Sequence, residues 1–294
     1  MGWTANDIPD QTGRTAVVTG ANSGIGYRVA RELARHGAHV VLACRSERRG
    51  QAAVEQLVGE VPSAQVAYRH LDLADLATVR AFVEDLPGER LDLLVNNAGV
   101  MALPYARTVD GFETQFGVNH LGHFALTGLL LPRLLAAPGA RVVSVSSAMH
   151  MIANIDPGDL NSERRYGRWI AYGRSKTANL LFIHELARRL RAAGSDVVAA
   201  AAHPGYADTN LQSGLLRLGN RLIAQSAAAG ALPVLHAATA AGVRGDAFFG
   251  PRVLAFRGAP GPSWRAPWTR NDVAAERLWA ASEQLTGIRY TALA

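Results

Sequence analysis

Through its first two-thirds the chain alternates short apolar runs with longer segments whose apolar residues recur every three or four positions. TAVVT (15–19), HVVLA (39–43), QVAYRHLDL (65–73), LDLLVNN (91–97), RVVSVSS (141–147) and DVVAAAAHPG (196–205) read as strands. Between them, 24–36 places Ile25, Val29, Leu33 and Ala34 on one helical face, 47–57 forms a charged helix, and 74–86 gathers Leu76, Val79, Val83 and Leu86. A long helix is expected from Ala171 to Gly194, where glycine takes the left-handed turn that ends a helix. Strands rich in Val, Leu and Ala at nearly every position must be covered on both faces. The pattern therefore predicts an α/β fold, a doubly wound parallel sheet in one domain.

Beyond about residue 205 the pattern changes. The segment 210–225 is amphipathic through Leu211, Leu215, Leu218 and Leu222 and follows a Pro-Gly break, so it reads either as a lid over the carboxyl ends of the strands or as an ordinary packed helix. The expected division is a core at about 12–205, a substrate lid at about 206–228 and a C-terminal segment at 229–294. The tail carries Trp264, Trp268 and Trp279, ends in a helix and is expected to pack against the sheet edge.

Composition removes several functions. With 294 residues, 49% hydrophobic and 18% charged, the chain can bury a large core and is not a disordered polymer. The net charge of +6 comes almost wholly from arginines scattered along the sequence, with few aromatics between them, so no nucleic-acid partner is expected. Cys44 is the single cysteine, which excludes an internal disulfide framework and suits a reducing compartment. The opening MGWTANDIPDQTGRT has no apolar signal core, and FALTGLLLP (124–132) is too short to span a bilayer. A soluble cytoplasmic protein without a transmembrane segment is expected.

Two groups of residues carry chemistry. The first strand runs into TGANSGIG, placing Gly20, Asn22, Ser23, Gly24, Ile25 and Gly26 where a strand turns into a helix. Glycines there let the backbone approach a pyrophosphate, and the helix start offers it free N–H groups. The second strand ends Cys44-Arg45-Ser46 with no carboxylate to receive a ribose 2′-hydroxyl. Arg45 can pair with a 2′-phosphate, which favours NADP(H) over NAD(H). Asp72, with Leu73 beside it, is placed to meet adenine, and Asn97, Ala98 and Gly99 end the fourth strand where a small backbone can lie against ribose.

The second group begins with Tyr172 and Lys176, four apart and so on one helical face. Lys176 is the only lysine among 30 basic residues, and only seven residues are tyrosines, so chance seldom produces this pair. A neighbouring ammonium favours the phenolate, letting the phenol exchange a proton with a carbinol or carbonyl oxygen. Ser147 closes the fifth strand and can donate to that oxygen, while Ser146 points the other way. Asn119 starts or interrupts a helix; its side chain either holds a water that relays protons from Lys176 or caps the helix. His120 and His123 lack further ligands at metal spacing, so no metal is expected. His150 lines a pocket or is structural, and Tyr166 and Trp169 are pocket or packing residues.

Together, TGANSGIG, NNAG, VNHLGHF, VSS, YGRSK and HPGYADT resemble the short-chain dehydrogenase/reductase family, in this order and over about residues 12–210. The resemblance implies a Rossmann fold binding NAD(P), with Asn119, Ser147, Tyr172 and Lys176 as a catalytic tetrad and Pro204, Gly205 and Thr209 near the nicotinamide. Tyr172 and Lys176 then also contact the cofactor. Ser147 and Tyr172 lie 25 positions apart, about twice the usual family separation. The extra stretch is similar to that of the retinol-dehydrogenase-like branch, as are ACRS, DLADL and the C-terminal ERLWAASEQLTG. The implied activity is NADP(H)-dependent interconversion of a carbonyl and an alcohol on an apolar small molecule; the resemblance suggests a homodimer or homotetramer, and the extra stretch leaves a monomer open. The alternatives are an alkene reductase on the same scaffold and a non-catalytic NADP(H)-binding regulator.

Overall fold

The computed structural model describes residues 2–205, 226–253 and 256–293. Six parallel strands form in the expected places: β1 (Thr15–Thr19), β2 (His39–Cys44), β3 (Gln65–His70), β4 (Leu93–Asn96), β5 (Arg141–Val145) and β6 (Val198–Ala202). Two further strands, β7 (Phe248–Val253) and β8 (Arg257–Pro262), complete a sheet of order β3-β2-β1-β4-β5-β6-β7-β8 in which only β8 runs antiparallel. The chain crosses over after β3, between β1 and β4. Beside that switch point the carboxyl ends of the strands open a crevice, the place where doubly wound sheets bind ligands.

Helices cover both faces. α1 (Gly24–Arg35) and α2 (Glu47–Glu60) lie on one side, α3 (Leu76–Asp85) on the other. A short helix α4 (Thr114–Phe116) runs through a π-turn at Gly117–Leu121 into α5 (Gly122–Leu135), and α6 (Arg168–Ala192) follows β5. α7 (Ala227–Thr239) packs on α1, and α8 (Asp272–Thr286) packs on α6. The strands bury alternate side chains in two cores: Val17, Val41, Leu94 and Val142 face α3, α5 and α6, while Val18, Leu42, Val95 and Val143 face α1, α2 and α7. Phe124, fully buried, packs edge-on against Phe182 and Trp279, a site where truncation to alanine costs about 3–5 kcal/mol.

Some expectations need correction. β3 is half exposed rather than covered on both faces, because it is the sheet edge. Its Tyr68 lies on Gly50 of α2, where an added Cβ would fall 2.2 Å from the ring. α7 has no polar face to read, since it is wedged between α1 and the sheet. Residues 226–228 are its cap and first turn, with Ser226 accepting from the Ala229 N–H. β7 and β8 carry Pro251, Pro260 and Pro262, which weaken a strand pattern. Pro251 is tolerated because β7 pairs with β6 only through Phe248 and Phe249, and a bulge follows. Trp279 sits in the core between α5, α6 and α8 rather than at the sheet edge, and Trp264 is largely exposed. The amphipathic segment 210–225 lies outside the described residues. None of the described helices is long and apolar enough to cross a membrane.

Candidate active site

At the carboxyl edge, β1 ends in Thr19 and Gly20 beside the end of β4. Gly20 adopts φ +67°, and a Cβ there would lie 3.0 Å from Ala98; one on Gly26 would lie 2.5 Å from Asn97 Nδ2 and 2.6 Å from the Gly20 carbonyl. The turn therefore closes only without side chains. Ser23, at the cap of α1, makes no side-chain cap bond, unlike Ser46, Asp75, Ser226 and Asn271 at the starts of α2, α3, α7 and α8. Among the described residues Ser23 thus leaves the leading amides of α1 without a side-chain cap, beside half-buried Asn22 and buried Ile25, as an anion-binding helix start requires. Asn97 donates to the Thr19 carbonyl at 2.8 Å, and Thr19 Oγ1 accepts from the N–H groups of Asn97 and Ala98 at 2.9 Å.

At the other side of the switch point, Ser147 follows β5 and caps a 3-10 turn, accepting from the Met149 N–H. Tyr172 and Lys176 occupy one face of α6, with the Lys176 Nζ 5.6 Å from the Tyr172 ring centre and donating to the Val145 carbonyl at 3.0 Å. An added Cβ on Gly99 would lie 3.5 Å from that Nζ and 3.1 Å from Asn119 Oδ1. Lys176 therefore reaches the residue that follows Ala98, which packs on Gly20 of the glycine turn. Asn119 sits in the π-turn, so it interrupts a helix, as one reading of the sequence had it. Its amide accepts from the Val100 N–H at 2.8 Å and donates to the Val100 carbonyl and to Ser175 Oγ, both at 2.9 Å.

The comparisons with known proteins meet this geometry. The family model described as short chain dehydrogenase matches residues 14–217. The chain belongs to that family. It is 46% identical to retinol dehydrogenase 12 of Homo sapiens, over 95% of this chain and 88% of the relative, and 43% identical to human retinol dehydrogenase 13, over 94% and 85%. A crystal structure from Mycobacterium Paratuberculosis is 49% identical, with TM-score 0.86 and 99% of each chain covered. A short chain dehydrogenase from Burkholderia cenocepacia, solved in complex with NADP, is 25% identical with TM-score 0.65, covering 80% of this chain and 95% of that one. The protein is thus a short-chain dehydrogenase, an NAD(P)-dependent oxidoreductase acting on alcohol or carbonyl groups, and the glycine turn with its uncapped helix fits such a dinucleotide.

The electrostatics of this dehydrogenase site are governed by burial. It pushes the Tyr172 phenol up to about 12, opposed by a hydrogen bond with Ser147, and the Lys176 ammonium down to about 8. The four-residue spacing of Tyr172 and Lys176 leads to the expectation that the ammonium favours the phenolate. Desolvation is the larger of these influences on the phenol, which is protonated at neutral pH. The amide of Asn119 gives its two donors to Val100 and Ser175 and so clamps the loop after β4 against α6.

The remaining site residues are distributed as follows. Arg45 is exposed, with its Nε 4.0 Å from Asp72. Asp72 accepts from the Ala74 N–H at 3.0 Å and so shapes its own turn. The Leu73 side chain is in the core, its carbonyl against Gly122 of α5. Pro204 and Gly205 follow β6 at the same edge, and the Gly205 N–H donates to His203 Nδ1 at 3.2 Å. Thr209 lies outside the described residues. Tyr166 is a packing residue, donating to the Leu103 carbonyl at 2.8 Å and accepting from Gln115 at 2.9 Å; Trp169 is half-exposed at the start of α6. Ser146 donates to the Lys176 carbonyl and is structural.

The histidines have protein partners. His120 meets Ser282 Oγ at 2.9 Å. His123 Nδ1 faces the Asn119 carbonyl at 3.1 Å, so the proton sits there and Nε2 accepts from Thr19 Oγ1 at 2.9 Å. Burial pushes its pKa down to about 4, which keeps it neutral. Thr19 and His123 thereby join the glycine turn to the π-turn. Sequence reasoning missed this link and Ser175; nothing in their spacing marks residues 104 and 56 positions apart as partners.

Proposed function

We propose that the protein interconverts a carbonyl and an alcohol on an apolar small molecule, using NADP(H). Tyr172 is the proton-transfer group, and the observation that carries this is its buried phenol beside Ser147 and beside Lys176, whose Nζ reaches Gly99 after β4. A nicotinamide held beside these residues would supply or accept the hydride. In the reductive direction, Ser147 donates a hydrogen bond to the carbonyl oxygen as negative charge develops there, and the protonated phenol delivers its proton to that oxygen. Lys176, anchored on the Val145 carbonyl, holds the nicotinamide ribose and favours the phenolate left behind. Asn119 keeps the loop after β4 in place through Val100.

Arg45, exposed at the end of β2, would pair with the adenosine 2′-phosphate, which supports NADP(H) over NAD(H). The NADP complex of the Burkholderia relative agrees with this reading. An apolar substrate is supported by half-exposed Ile152, Trp169 and Ile170 around the first turn of α6, and by relatives named for retinol. Product analysis tests the proposal: with NADPH and cinnamaldehyde, which offers both a carbonyl and an alkene, cinnamyl alcohol is expected. The saturated aldehyde would identify an alkene reductase, and tight NADPH binding without turnover across an aldehyde panel that includes retinal would identify a non-catalytic regulator.

A further inference from the structure

His150 sits three residues after Ser147 and is buried, with its proton position fixed by geometry. Its Nδ1 lies 2.6 Å from the Ser147 carbonyl, which only accepts, and its Nε2 receives the Ala266 N–H at 3.2 Å, which only donates. The ring must therefore be neutral, with the proton on Nδ1. The backbone N–H of His150 also reaches the Ser147 carbonyl, at 3.1 Å, so both lone pairs of that oxygen are held by one residue. The His150 carbonyl in turn accepts from Thr177 Oγ1, one position beyond Lys176.

Ala266 belongs to the segment after β8. The preceding Arg265 is buried and paired with Asp246, which also meets His184 of α6 at 2.9 Å. The His150 ring lies edge-on to Phe248 of β7, with centres 5.6 Å apart. The sheet extension, remote in sequence, therefore reaches the Ser147 peptide through a single imidazole.

We propose that His150 is a positioning residue, whose Nδ1–H, bonded to the Ser147 carbonyl, sets the direction of the Ser147 hydroxyl. This rests on the reading of Ser147 as the group that polarises the substrate oxygen. The imidazole does not enter the reaction; it fixes the peptide whose side chain does, and an error of about 1 Å in such a group costs about 100-fold in rate.

Two substitutions separate the bonds. In His150→Asn the amide nitrogen takes the place of Nδ1 and keeps the donor to Ser147. In His150→Gln the amide oxygen takes the place of Nε2 and keeps the acceptor for Ala266. Each loses one buried hydrogen bond, so a fall in Tm is common to both, whereas the catalytic effect is not. With NADPH and cinnamaldehyde as probes, His150→Asn is expected to keep kcat within about threefold, and His150→Gln to lower it by about tenfold or more, both with unchanged KM for NADPH. In a Ser147→Ala background, His150→Gln is expected to add no more than about twofold, because its effect passes through the missing hydroxyl. Equal losses in the two variants, or a full additional loss in the Ser147→Ala background, would overturn the positioning role alone. Wild-type turnover in Ser147→Ala itself would overturn both this inference and the role proposed for the serine.

Discussion

At the β1–β4 end of the carboxyl edge, backbone lies directly on backbone. Gly20 touches Ala98, Gly26 touches Asn97, and Thr19 binds two consecutive amides. At the β5–α6 end the shape is set instead by buried side chains that can gain or lose protons: Tyr172, Lys176 and His150. The first region admits no added atom, and the second admits no misplaced proton. A dinucleotide, large and chemically constant, is recognised by a fixed surface; a reacting oxygen needs groups whose proton affinity the protein has shifted.

Substitutions can break that contrast. The largest effect is expected for Gly26→Val, whose Cβ must displace Asn97 or the Gly20 carbonyl. NADPH affinity measured by calorimetry should fall by about 100-fold or more, with the circular dichroism of the sheet retained. Arg45→Ala adds no atoms and removes a charge from the rim, so only cofactor choice should respond. The ratio of kcat/KM with NADPH to that with NADH is expected to drop by about tenfold, the worth of a charge-assisted bond.

Lys176→Met probes the other region. The native state disfavours the charged ammonium, whose pKa falls from 10.5 to about 8 on burial. That penalty is absent above pH 10.5, accrues as pH falls towards 8 and is complete below it. The variant is therefore expected to be more stable than wild type at pH 7, by about 1 kcal/mol in urea unfolding, while losing turnover. The stability difference should disappear as pH approaches 10.5.

The same contrast explains what could be read from the sequence. The glycine turn is contiguous, TGANSGIG, and the roles of its parts follow from local backbone geometry. Tyr172 and Lys176 are legible because helical periodicity alone puts them together. Other contacts join distant stretches: Ala266 to His150, Ser175 to Asn119, His123 to Thr19. No spacing rule connects them. β7 and β8 escaped because their prolines and glycines hide a strand pattern, and α7 because a helix enclosed by α1 and the sheet shows no polar face. Burial is hidden for a related reason: the sequence displays the charge of Lys176 but not the depth at which the Tyr172 phenol is buried.

The central claim is that the buried, protonated phenol of Tyr172, beside Ser147 and Lys176, is the proton donor. Its most direct test is the kcat of Tyr172→Phe for carbonyl reduction with NADPH, measured beside NADPH affinity. The predicted result is a fall in kcat of about 100- to 10,000-fold with cofactor binding preserved. A Phe variant that turns over at the wild-type rate would contradict the account.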